Sequence, residues 1–74
     1  MYELNINEVK AMQEWTLTNE KGIHASIIYN GVYDMFDTWY WKDETILDME
    51  QMVSPGYNPG RAVMIMQKRG FKFN

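Results

Sequence analysis

Asn30-Gly31 lies between two stretches of strand character, and no other dipeptide in the chain narrows the possible folds as far. Asn and Gly best accept the two positive φ angles of a type I′ turn, and the twist of that turn matches the strands it joins. Ile23–Tyr29 and Val32–Trp41 therefore read as a hairpin. A two-residue turn sets Tyr29 opposite Val32, Ile27 opposite Asp34, Ala25 opposite Phe36 and Ile23 opposite Thr38. The other face of the ribbon then carries Ile28 with Tyr33, Ser26 with Met35, and His24 with Asp37.

Upstream, Glu20-Lys21-Gly22 makes a three-residue connection whose glycine suits a left-handed position. That turn pairs Asn19 with Ile23 and brings Leu17 beside Ala25 and Trp15 beside Ile27. Both turns agree on one apolar face, and a slip of one residue in either would destroy the agreement. Asp34 is the acid that does not fit this face, so it marks a local bulge or the open end of the sheet. The expectation is a three-stranded antiparallel meander over residues 13–19, 23–29 and 32–41.

Two helices are expected after it. In 44–53, Asp43 can cap, acids fill the first turn, and Ile46, Met49 and Val53 recur at helical spacing, with Ser54-Pro55-Gly56 as the stop. In 59–69, Asn58 suits the cap, Pro59 the first helical position and Gly70 the position just past the end. Five consecutive apolar residues, 62–66, leave a buried strand open as the alternative. Residues 1–12 form an N-terminal arm: Tyr2, Leu4 and Ile6 alternate like a strand, while Asn5 and Glu8 have capping-box spacing and Val9 and Met12 would share a helical face. Phe71 and Phe73 make a tail that packs or pairs with a sheet edge. The whole chain, 1–74, reads as a single α+β domain of two layers, both helices packed on the one apolar face. At this length the core supplies only about 3–5 kcal/mol.

Cysteine is absent, so there is neither a disulfide nor a thiolate metal site. One histidine with scattered carboxylates gives no zinc site, residues 43–50 lack the spacing of a calcium loop, and no Gly-rich phosphate motif occurs. No metal or cofactor is expected. His24, opposite Asp37 and beside Thr18, has the makings of an acid–base site or of a hydrated polar face; no nucleophile motif accompanies it, and an enzyme is not expected. The start of the chain carries an acid before any base, and no apolar run is long enough for a signal or a span, which points to the cytoplasm.

Charge is unevenly placed. Asp34, Asp37, Asp43, Glu44, Asp48 and Glu50 face only Lys42 in 34–50, whereas the last fourteen residues hold Arg61, Lys68, Arg69 and Lys72 without an acid. Three Trp, five Tyr, three Phe and seven Met exceed what a small interior takes up, so part of them should form a contact surface. The candidate surface is Tyr33, Asp34, Asp37, Trp39, Tyr40, Trp41, Asp43, Glu44 and Asp48, with Trp39 and Trp41 outward if the third strand runs straight and in the core if it bends after Asp37. These features predict a non-enzymatic module that binds another protein or complex. The type expected is a stoichiometric inhibitor of a nucleic-acid-handling complex, such as phages and mobile elements direct against host defence (anti-CRISPR or anti-restriction), acting in the host cytoplasm. The alternatives are a nucleic-acid-binding accessory protein using Arg61, Lys68, Arg69 and Lys72, against which the net charge of −3 speaks, and a structural homodimer that buries the aromatic face against its twin.

Overall fold

The computed structural model describes residues 3–52 and 58–73; Tyr2, Val53, the Ser54-Pro55-Gly56 stop and Tyr57 lie outside them. The elements run α1 (Ile6–Met12), β1 (Trp15–Thr18), β2 (His24–Asn30), β3 (Met35–Lys42), β4 (Thr45–Met52), α2 (Gly60–Lys68) and β5 (Lys72–Phe73). The five strands form one antiparallel sheet in the order β4-β3-β2-β1-β5.

β1 and β2 pair in the expected register, with Trp15 opposite Ile27 and Leu17 opposite Ala25. Gly22 takes φ 78 in the turn, and the Asn19 carboxamide oxygen accepts from the backbone N–H of Lys21 and Ile23. The β2–β3 connection differs from the expected two-residue turn. Asn30 is the last residue of β2 and pairs with Met35, leaving a four-residue loop, 31–34, whose left-handed residue is Asp34 at φ 51. Tyr29 therefore faces Phe36 and Ile27 faces Thr38. A two-residue turn would have put Asp34 in the apolar face across from Ile27; the longer loop delivers its carboxylate to water. Each partner moves along β3 by an even number of places, so every side chain keeps its face although it changes its neighbour.

The segment expected as the helix 44–53 is β4. A bulge lies between Tyr40 and Trp41: Trp41 pairs with Ile46 and Tyr40 with Asp48, so Leu47 is the extra residue. Ile46 and Met49 thereby reach the same face of the sheet although they are three apart in sequence. One bulge in a strand reproduces the spacing that otherwise announces a helix. Asp43 does not cap a helix; it takes φ 54 in the tight turn Asp43-Glu44, a conformation that aspartate tolerates.

Adding β4 to the sheet gives its second face apolar residues, and this changes the layering. On one face Leu17, Ala25, Ile27, Phe36 and Met52 meet Ala62 and Met66 of α2, together with Phe71. On the other, Ile28, Trp39 and Trp41 meet Val9 of α1, flanked by Leu4, Ile6, Ile46 and Met49. The two helices thus cover opposite faces, one each, and the expected two-layer arrangement is replaced by helix, sheet and helix.

Local signals set the helix ends. Asn5 and Glu8 form the capping box reciprocally, at 2.9 and 3.2 Å, and Leu4 and Val9 join the same cluster as in a hydrophobic staple. Val9 is buried, whereas Met12, expected on the same face, is exposed. Residues 62–66 are helical. α2 starts one residue later than expected: Pro59 is the N-cap residue, not the first helical one, and Asn58 precedes it, its carboxamide oxygen accepting from Gly60 N–H at 3.0 Å. The helix ends in a Schellman motif, in which Phe71 N–H donates to Met66 C=O and Gly70 N–H to Gln67 C=O. Phe71 then packs in the core, and Phe73 pairs with Leu17 on the sheet edge.

Candidate protein-contact site

β3 keeps an unbroken register with β2 through residues 39–41, yet Trp39 and Trp41 are only 4 % and 8 % exposed, because α1 covers the face they occupy. The Trp41 indole N–H donates to Ser26 Oγ at 2.8 Å, and the Ser26 hydroxyl donates to Gln13 Oε1 at 2.6 Å, tying the end of α1 to the sheet. His24 stacks on the Trp41 ring at 4.1 Å, and Lys10 Nζ stands 5.0 Å from the ring centroid while pairing with Glu44 at 2.7 Å. Of the two placements open for them, the core one holds, and Trp39 and Trp41 are not part of a contact surface.

The rest of the expected surface is dispersed. Asp37 is buried on the α1 face, opposite Ile28; His24 lies opposite Trp41, so the acid–base row of His24 and Asp37 does not form. Tyr40 lies on the α2 face. Its hydroxyl donates to Glu50 and accepts from Arg69, which also bonds Glu50 at 2.7 Å. Burial and the Glu50 carboxylate push the Tyr40 phenol up to about 12, while the Arg69 guanidinium and the Tyr40 hydroxyl hold Glu50 below the ordinary glutamate range. Asp43 and Glu44 occupy the β3–β4 turn, Asp48 sits on the edge strand β4, and Tyr33 and Asp34 lie in the loop at the far end of β3, about 25 Å away for an eight-residue strand.

The basic residues divide as well. Arg61 belongs to the first turn of α2 and Lys68 to its last, and Arg69 is held by Glu50. Lys72 joins Lys21 across a shallow cleft of about 440 Å³ between the β1–β2 turn and the end of α2. Lys21 comes from a part of the sequence remote from the basic tail; only the pairing of β5 with β1 brings it there.

Among the described residues Met12, Leu47, Met64 and Phe73 are exposed singly on separate elements, whereas the 31–34 loop displays two large apolar side chains next to each other. Val32 is 78 % and Tyr33 60 % exposed. Below them the Val32 N–H donates to Asn30 Oδ1 at 3.0 Å, and the Asn30 amide nitrogen donates to Asp37 Oδ2 at 3.1 Å. On the opposite face the Tyr29 hydroxyl donates to Asp34 Oδ1 at 2.5 Å, and the Tyr29 ring meets the edge of Phe36. The bond to Asp34 raises the Tyr29 phenol, and burial raises the Asp37 carboxyl against the opposing donation from Asn30. Sequence reasoning named Tyr33 but counted Val32 as a core-facing strand residue. An apolar pair directly after Asn-Gly was the available signal.

Among the described residues, no group of three or more His, Cys, Asp or Glu side chains is arranged to hold a metal ion, and no helix is long and apolar enough to cross a membrane. Comparison with protein-family models, with curated proteins and with solved structures finds no match to this chain.

Proposed function

We propose that the chain is a non-enzymatic protein-binding module whose contact is centred on the 31–34 loop, with Tyr33 and Val32 as anchors. What supports this is the combination of exposure and bracing: two large apolar side chains stand in water on a backbone already fixed by Asn30 and by the Tyr29–Asp34 bond. A pre-ordered loop loses little entropy on docking, and tyrosine buries much area for few rotatable bonds. The narrower reading, inhibition of a nucleic-acid-handling complex, would draw on Asp43 and Asp48; Glu44 is already engaged by Lys10. The homodimer reading loses its motive, since α1 rather than a second copy covers the aromatic face.

A nucleic-acid contact remains the second reading, favoured by the meeting of Lys21 and Lys72 at one cleft. Against it stand Glu20 in the same cleft, the commitment of Arg69 to Glu50, and the negative end of the α2 dipole. Capture from host lysate with the intact chain and with a Val32→Ser/Tyr33→Ala variant, each after nuclease treatment, tests the proposal. A protein retained by the first and lost by the folded variant is the expected result. Identical captures by both would remove the loop from the contact, and capture of nucleic acid that weakens steeply with salt would favour the basic cleft.

A further inference from the structure

The 31–34 loop is tied to a buried acid through a single carboxamide. Asn30 bridges the Val32 N–H, which it accepts at its oxygen, and the Asp37 carboxylate, to which its nitrogen donates. Asp37 is 0 % exposed, and its second oxygen, Oδ1, has no hydrogen-bond partner among the described residues. A carboxylate placed there for stability alone would be a poor choice, because a buried charge with a single donor is under-compensated. Its chemistry does, however, settle which way the amide of Asn30 points. An ionised carboxylate only accepts, so it must hold the nitrogen of the carboxamide, and the oxygen is then turned to the loop. A protonated carboxyl carries a donor of its own, can bond the carboxamide oxygen, and no longer reserves that oxygen for Val32.

We propose that Asp37 is the positioning residue of the contact loop: its ionised carboxylate orients the Asn30 amide and so fixes the backbone at Val32, and its protonation frees the loop. This rests on the reading of 31–34 as the contact site. The charged groups on the neighbouring elements are occupied elsewhere. Lys10 of α1 and His24 of β2 stand at Trp41, toward the other end of the face, and Glu8 closes the α1 capping box. Asp48 and Glu50 of β4 belong to the opposite face, where Glu50 meets Arg69, and Asp34 is held there by Tyr29. On the two strands beside it, Asp37 faces Ile28 and Gln51, neither of which titrates.

The test is an NMR titration of the intact chain from about pH 7 down to about pH 3, the range that spans ordinary and raised aspartate values. It follows the Asp37 carboxyl carbon, the Asn30 side-chain amide and the Val32 N–H together. The expected result is that the Asn30 and Val32 signals move with the Asp37 carboxyl, and that Val32 exchange, corrected for its intrinsic pH dependence, rises about tenfold, the ratio for losing one hydrogen bond. The Leu17 amide in β1 serves as the control for global opening. Val32 and Asn30 signals that ignore the Asp37 titration, or that move only together with Leu17, overturn the proposal. Asp37→Val, which offers Asn30 neither donor nor acceptor, should show the fast Val32 exchange at neutral pH; wild-type protection of Val32 in that variant would equally overturn it. If the variant does not fold, the wild-type titration decides alone. Neither readout depends on a partner, so loss of binding in the Val32→Ser/Tyr33→Ala variant stands or falls separately.

Discussion

Two tryptophans on one strand face separate packing from hydrogen bonding. Trp41 donates to Ser26, which passes the bond on to Gln13, whereas the buried indole N–H of Trp39 has no partner among the described residues. Replacing Trp41 by Phe removes the bond that the buried Ser26 oxygen accepts, leaving only its donation to Gln13, while replacing Trp39 by Phe removes a donor that has no partner among the described residues. Trp41→Phe should therefore cost about 1–2 kcal/mol more than Trp39→Phe in urea denaturation, and equal losses would contradict the assigned roles. Tyr40 gives a pH signature. Its phenol is raised from 10.0 to about 12, so the folded state keeps the proton that the unfolded chain releases, and stability falls as pH rises through that window. Tyr40→Phe should flatten the fall, read as the urea midpoint at either end of the window. At this scale the sequence was legible wherever a residue acts on its own backbone. Asn30 misled because its weight as a turn former concealed what its side chain does, holding Val32 and Asp37 together.

Elements bounded by local chemistry were legible and those defined by partners were not. The end of α2 could be placed from Gly70, its start to within one residue from Asn58-Pro59, and the α1 start from Asn5 and Glu8, since end signals are written within a few residues of the ends they close. Gly70 sits at φ 92 with nothing within 4 Å of where a Cβ would stand, so Gly70→Ala isolates the backbone term of the Schellman motif. It should cost about 1 kcal/mol in thermal or urea unfolding without moving Phe71 from the core. A loss several times larger would mean that the end of α2 repacks. β4 was misread because its periodicity is only intelligible beside β3: with Leu47 recognised as an extra residue, Ile46 and Met49 alternate as strand residues on the face of Trp41 and Trp39. A bulge is invisible until the partner strand is known. For the same reason the contact surface expected along 33–48 came apart. It treated the sequence as a continuous strip, while the hairpin loop and the β3–β4 turn lie at opposite ends of the sheet.

For the whole molecule, burial of both sheet faces leaves the edges as the exposed backbone. β5 is two residues long, so its edge offers little to pair with, but β4 presents eight residues with no neighbour on its outer side among the described strands. Such an edge is a template for association unless something spoils it. Here the bulge at Leu47 breaks its regularity, Asp48 puts an acid on the strand, and Asp43 stands in the turn at its start, so that two copies meeting edge to edge would bring acids together. The acids that suggested a binding face would on this reading guard the edge without any partner. Removing the charge without disturbing the turn separates the two roles. Asp43→Asn keeps a residue that tolerates the left-handed conformation, and Asp48→Val raises strand propensity where the edge is charged. The double variant should show concentration-dependent self-association in sedimentation velocity at concentrations where the unsubstituted chain does not, and the association should weaken in Met49→Pro, which adds a strand-breaking residue to the same edge. If the double variant sediments as the parent does over the same range, the acids are not what protects β4, and a partner becomes the better reason for their presence on that edge.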